Sequence, residues 1–540
     1  MSMNAGETST SRIFYNGVIH TADSALARVS VLAVNNGRIA YVGDSRAEAS
    51  AMLGAYAEEI DLRGLTIIPG LIDTHQHFLL QGQQLLEVDI HFKPKDEIVR
   101  AVAERASVMK PGEWILGRGW NHELWPVREW PCKEELDAVA PANPVALIRV
   151  DGHSTWVNSL ALRLAGFDRN SPDTPGGEIV RNPDGELRGI LVDTPAFRLR
   201  EMIPPLNAAQ KRFACEKAQA EMFRYGITSV GDAWQTEDDH IFFRTMYETG
   251  VLRLRIYGMM ASRMRGGQPC TSVEDEPVAG LFDNRFSRRA FKVVLDGSLG
   301  SRSAWLTEEY SDRAGYRGNG RYSDEQLLTV LRSAVTKGFQ LCIHAIGDAA
   351  VNQALTALER LRKEWRGPWL PHRIEHYQMA SPDMVRRTLA LGVIPAMQTS
   401  HALADSRMAE ARLKPSSLAI SYPWRDVLDS GGSIANGSDS PMDTVNPFLG
   451  FYAAVTRTPF ACQHLDAAKV RMTRPEILAS YTLWAARAEL AEAVKGTLVP
   501  GKVADFAVLD RDIMSCPEEA IKATSVLMTV LAGETVHGIL

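Results

Sequence analysis

The strongest limit on how this chain can fold is a long alternation of short apolar runs with helix-patterned segments, framed at both ends by brief strands and turns. Apolar runs stand at 144–150, 227–230, 252–259, 289–295, 340–343, 393–397 and 433–435. Helical spacing at 208–225, 324–337, 351–362 and 382–391 separates several of them. Strands alternating with helices build βα units around a parallel sheet. A (β/α)8 barrel uses about 250 residues. The middle of this 540-residue chain is longer, so a large insertion is implied, and 80–206, rich in Pro, Gly and Trp, is the natural candidate.

The two ends read as β-rich. Asn16-Gly17 and Asn35-Asn36-Gly37 fall between apolar runs, a hairpin signal. Strand patterns return at 504–509, 526–531 and 536–540. Two such pieces can pair into one small sheet domain that brings the termini together.

Composition narrows the functional classes. Lys plus Arg total 59 against 65 Asp plus Glu, a net charge of −6. That lacks the basic footprint of a nucleic-acid or anionic-membrane binder. No stretch approaches the roughly 18–20 apolar residues of a membrane helix, and the opening MSMNAGETSTSRIF has no secretory pattern. The six cysteines are scattered without a CxxC pair. Reduced thiols in the cytoplasm are the simplest reading.

The sharpest local motif is Pro69-Gly-Leu-Ile-Asp-Thr-His75-Gln-His77, an apolar run ending in His-x-His. On a strand, residues two apart share a face, so both imidazoles can chelate one metal ion. The competing reading is a chance pair of histidines. His344, His376 and Asp439 also close apolar runs. In a barrel, the C-terminal ends of different strands converge on one mouth. Lys292 sits inside an apolar strand, where an ammonium is expensive to bury. It either snorkels to the surface or pairs with an acid, or it has reacted with carbon dioxide to give a carbamate that bridges two metals.

Together PGLIDTHQH, Lys292, HAIGD, RIEH, GSDSP and the closing GKVADFAVLD resemble the amidohydrolase superfamily. DGHSTWVNSLAL and LDGSLGSRSAWL resemble its amidohydrolase family 3 subgroup, related to N-substituted formamide deformylases. The resemblance implies a distorted (β/α)8 TIM barrel (α/β class) with a small β-sandwich formed by both chain ends. The expected division is 1–68 plus 490–540 for the sandwich and 69–489 for the barrel, with the insertion at about 80–206. It also implies that His75 and His77 bind the more buried metal, His344 and His376 the second, carbamylated Lys292 bridges them, and Asp439 completes the first site.

The implied enzyme is a hydrolase acting on carbon–nitrogen bonds other than peptide bonds. Its expected substrate is a small, hydrophobic or aromatic N-acyl or N-formyl compound, attacked by a metal-activated hydroxide. Zinc (Zn2+, one or two ions) suits imidazole and carboxylate donors, as do manganese, iron and nickel. Asp439 fits the acid/base role, because amide cleavage must protonate the departing nitrogen. His153, after Asp151-Gly, is placed to donate to a developing oxyanion or to hold its loop. Asp296, Ser298 and Arg302 are expected at the pocket, Arg302 with an alternative as a structural ion-pair partner. Trp120 and His122 lie in a tryptophan-rich part of the insertion that forms either an aromatic lid or that segment's own core.

Two alternatives differ in class. A ring deaminase on the same barrel usually has a glutamate three residues after the third histidine; here position 347 is Gly. A metal-free scaffold would not need every ligand position filled. A nucleotide enzyme is disfavoured by the lack of a phosphate-binding glycine motif. The partner is therefore a small-molecule substrate, without nucleic acid or membrane, and a homodimer is compatible with such a barrel.

Overall fold

The structure, a computed structural model, describes residues 11–91, 93–149, 152, 154–172, 177–262, 264–265, 268–269, 272–457 and 470–540. The chain divides into two compact units, Met1–Phe78 with Gln219–Leu540, and Leu79–Ala218. In the first unit eight parallel strands form the barrel: β1 (Leu71–Gln76), β2 (Ile227–Gln235), β3 (Arg255–Ala261), β4 (Phe286–Val294), β5 (Gln340–Ala345), β6 (Arg373–His376), β7 (Ile394–Met397) and β8 (Ala435–Asn436). Each pairs with the next in that order. Almost every residue of these strands is buried, as expected where both faces of a parallel sheet are covered.

Closure between the two-residue β8 and β1 relies on specific polar contacts. The Thr74 hydroxyl donates to the Asn436 carbonyl at 2.9 Å, and the Asp439 N–H donates to the His75 carbonyl at 2.7 Å. Ser438 donates to the buried Asp73 carboxylate through both its N–H and its hydroxyl. Gly437 is required here, since a Cβ would lie 2.6 Å from the His75 nitrogen. The short β6, β7 and β8 make this a distorted (β/α)8 barrel.

The intervening helices start where capping chemistry dictates. Ser323 accepts from the Gln326 N–H and Gln326 reciprocates, opening Asp324–Thr336. Ser381 caps Pro382–Ala390 by accepting from the Met384 N–H, with Pro at the first helical position. The apolar stripe Leu327, Leu328, Leu331, Ala334 and Val335 is buried.

Both chain ends contribute to two further sheets. One has the order Arg38–Gly43, Val31–Asn35, Arg12–Tyr15, Glu58–Asp61. The other runs Glu534–Gly538, Val526–Leu531, Phe506–Leu509, Thr66–Pro69, Val18–His20, Arg28–Val29. Phe14, Leu32, Val34, Ile67, Phe506 and Val530 share one core, with Phe14 edge-on to Phe506 at 5.0 Å. Asn36 and Gly37, both at positive φ, make the expected tight hairpin between Val31–Asn35 and Arg38–Gly43. Asn16-Gly17 does not make one. Arg12–Tyr15 pairs with Val31–Asn35, and Val18–His20 pairs in the other sheet. A Cβ on Gly17 would strike Leu62 and the Leu65 carbonyl, so this turn is packed as a corner between sheets.

A buried clamp ties the second terminal sheet to the barrel. Arg255, at the start of β3, donates through Nε and Nη2 to both oxygens of Asp505 at 2.6 and 3.0 Å.

The second unit is inserted in the chain between β1 and β2. Its sheet has the order Gly177–Arg181, Leu187–Asp193, Ser154–Val157, Val145–Arg149, Ile115–Trp120, Val88–Asp89, so the 144–150 run belongs here and not to the barrel. Trp120 and Trp156 are fully buried in its core. No helix among the described residues is long and apolar enough to cross a membrane.

Candidate metal centre

His75 is the hub of the barrel mouth. Its Nε2 lies 3.3 Å from Lys292 Nζ and 3.5 Å from Asp439 Oδ1, while His77 Nε2 is 3.4 Å from the same Asp439 oxygen. His376 is buried, with ring centroids 4.7 Å from His75 and 4.4 Å from His344. One ligand atom each of His75, His376 and Asp439 fall within 4.8 Å of one another. The six residues expected at strands β1, β4, β5 and β6 and after β8 therefore line one cavity of about 420 Å³.

The backbone is strained where it presents two of these groups. His376 has φ 69° and Asp439 φ 57°, in the left-handed region that non-glycine residues seldom occupy. Such outliers cluster at functional sites.

The histidine tautomers are set from outside the cavity. His75 Nδ1 lies 2.5 Å from Glu375 Oε2, and a carboxylate only accepts, so Nδ1 carries the proton and Nε2 faces inward with a lone pair. Arg373 grips Glu375 at 2.8 and 2.9 Å and donates to the Thr74 carbonyl at 2.9 Å. Burial alone would raise the Glu375 carboxyl, but Arg373 and His75 hold it well below the usual carboxylate range. His376 Nδ1 meets Gln398 Oε1 at 2.8 Å, which frees its other nitrogen likewise. Metal-ligating histidines are oriented in this manner by a carboxylate or carbonyl on the far nitrogen. Glu375→Gln is expected to weaken divalent-metal affinity about 10–100-fold, read by competition with a chromogenic chelator; an unchanged affinity would remove Glu375 from this role.

Charge and burial suit cation ligation. Burial pushes His75 down to about 4 and His376 well below its ordinary value, so both imidazoles are neutral donors. Burial would raise Asp439, yet above all the His77 hydrogen bond holds it well below the usual range, ionised. Burial lowers the Lys292 amine. His344 Nε2 is buried without a hydrogen-bond partner and lies 3.4 Å from Asp296 Oδ1. Four imidazoles, one of them with an orphaned nitrogen, and a carboxylate around one cavity fit a divalent cation.

The expected substrate residues are distributed differently. Asp296 is fully buried and accepts backbone N–H groups of Trp305, Ile346 and Gly347 at 2.9, 3.1 and 2.9 Å, pinning the loop after β5 to the loop after β4. Ser298 lines the cavity. Arg302 donates to Asp312. Trp120 and His122 belong to the second unit, where the Trp120 N–H donates to the Leu147 carbonyl at 2.8 Å and His122 stacks on Trp130 at 4.3 Å. Asp151 and His153 lie outside the described residues.

Sequence reasoning missed Arg373, Glu375, Gln398, His401 and Asp405. An Arg and a Glu two apart on a strand buried along its whole length were a legible signal, because buried charges must pair. His401 opens a short helix and Asp405 stands between it and the next, in a stretch whose sequence has no periodic pattern.

Comparison with known proteins agrees with this geometry. A profile described as "Amidohydrolase family" matches residues 58–537. Protein LONG AFTER FAR-RED 3 of Arabidopsis thaliana is 31% identical over 97% of this chain and 91% of its own length. The N-substituted formamide deformylase of Arthrobacter pascens is 27% identical, covering 96% of each. A solved structure described as an uncharacterized metal-dependent hydrolase from Pyrococcus horikoshii OT3 aligns with TM-score 0.76 at 25% identity, over 94% of this chain and 99% of that one. The chain is a hydrolase and belongs to the amidohydrolase family.

Proposed function

We propose that this chain is a metal-dependent amidohydrolase cleaving the C–N bond of a small, non-peptide N-acyl or N-formyl substrate with a hydrophobic or aromatic body. The observation that carries the reading is the convergence of His75, His77, Lys292, His344, His376 and Asp439 on one cavity. There His75 and His77 with Asp439 would hold one divalent cation and His344 and His376 a second, and Lys292, if carbamylated, would serve both. A bound divalent metal, zinc first, with manganese, iron or nickel suited to the same donors, supplies Lewis acidity to the amide carbonyl and makes water a stronger acid.

The chain's own groups do the rest. Asp439 accepts the proton of the attacking water and returns it to the departing nitrogen, which cannot leave as an amide anion. Lys292 is buried with its amine pushed toward the neutral form, the form that adds to carbon dioxide with loss of a proton. Trp234, Val294, Leu299, Ile346, Met408 and Met442 supply apolar wall for the substrate body. Similarity to an N-substituted formamide deformylase supports formyl among the acyl groups. On the same reading the ligand is a small molecule, and the scattered cysteines support a cytoplasmic compartment.

A panel of formamides, acyl anilides and carbamates, scored for released amine, tests the reaction; ammonia release from ring amines without amine from amides would sink it. Dialysis against a strong chelator is expected to remove nearly all turnover, with zinc or manganese restoring it. Bicarbonate speeds that recovery if Lys292 must be carbamylated.

A further inference from the structure

The cavity holds a carboxylate that the reaction does not use. Asp405 follows the short helix His401–Ala404, its N–H donating to the His401 carbonyl at 2.8 Å. Both side chains line the cavity. His401 Nε2 stands 4.0 Å from Asp439 Oδ2, so Asp405 lies one helical turn along the chain from a residue at the reacting end.

Asp405 is held by a built scaffold. Its Oδ2 accepts from Gln378 Nε2 at 2.9 Å and from the Tyr422 hydroxyl at 2.7 Å. Both donors are 4% exposed, and the Tyr422 N–H is anchored to the Gln378 carbonyl at 2.7 Å. Burial, reinforced by Asp405, keeps the Tyr422 hydroxyl protonated well above its usual range. Among the residues whose side chains are described, nothing donates to Oδ1. Among the residues whose side chains are described, Lys292, close to His75, is the only lysine or arginine lining the cavity. Arg412, whose charge Asp405 partly offsets, is directed instead to the Leu299 and Gly300 carbonyls. A second lining carboxylate, Asp443, has a buried oxygen without a partner. Half-buried carboxylates flanked by Leu299, Met408 and Met442 have lost part of their hydration and regain it best from a cation.

We propose that Asp405 selects substrates whose leaving amine carries, beyond an apolar spacer, a second group that is a cation or N–H donor, an ammonium above all. The inference rests on the amide-hydrolase reading for the position of the scissile bond. A substrate of this kind is an aralkyl or alkyl diamine acylated at one end, and the free diamine is what leaves.

The test compares N-(4-aminomethylbenzyl)formamide with its neutral isostere N-(4-ethylbenzyl)formamide on the metal-loaded full chain. The wild type should prefer the cationic compound by about tenfold or more in kcat/KM. Asp405→Asn should cut that ratio by about tenfold, chiefly through KM of the cationic compound, and Asp405→Ser serves as a second variant should the first fold poorly. A wild-type ratio near one, or a ratio unchanged in the variants, overturns the proposal. If neither formamide is hydrolysed, the amide reading fails separately. Calorimetric titration of the same two compounds then decides: tighter binding of the cationic one, lost in the variants, upholds Asp405, and equal or absent binding rejects it.

Discussion

Asp439→Asn should lower kcat by about 10²–10⁴-fold, the usual contribution of a positioned acid/base group. The substitution is close to isosteric, and asparagine tolerates the left-handed backbone that Asp439 adopts at φ 57°. The Asp439 N–H bond to the His75 carbonyl, which helps close the barrel, involves only backbone and survives. What disappears is an ionised oxygen near His75 and His77 able to take and return a proton. Steady-state kinetics beside a thermal melt separates chemistry from folding: the melt should be little changed. A variant retaining more than about a tenth of wild-type kcat would remove Asp439 from proton transfer.

Asp505→Ala should destabilise the fold by about 3–5 kcal/mol, because removing one partner of a buried pair leaves the other charge uncompensated. Arg255 is 2% exposed and makes two charge-assisted bonds to Asp505, which also accepts the Ala532 N–H at 2.8 Å. Unfolding in urea, followed by tryptophan fluorescence, reads the loss. Replacing Arg255 with methionine and Asp505 with leucine together should recover much of it, since well-packed apolar groups often match a buried ion pair. A loss under about 1 kcal/mol for Asp505→Ala would mean that water reaches the guanidinium.

The barrel was legible because its strands are buried on both faces and so read as continuous apolar runs, with capped helices such as Asp324–Thr336 between them. Asn16-Gly17 misled, because the turn signal specifies a local bend and says nothing of which strands will pair across it. The His-x-His motif and the three later strand ends could be placed at one mouth by topology alone. Gln398, His401 and Asp405 could not, since nothing in their spacing marks which loop will fold over the cavity. The tryptophans of the insertion show the same limit: Trp120 and Trp156 donate their N–H groups to the Leu147 and Cys132 carbonyls inside the second unit, a use that composition cannot distinguish from a ligand wall.

The strand Thr66–Pro69 pairs with Phe506–Leu509 and, after Gly70, runs directly into β1 with its two histidines. On the ribosome, that partner follows only after all eight barrel strands. At about 5–20 residues per second, the opening strands wait roughly tens of seconds for their neighbour. The strand that leads into the histidine-bearing segment thus waits for this partner until all eight barrel strands have been made, whereas β1 itself finds its neighbours β2 and β8 earlier.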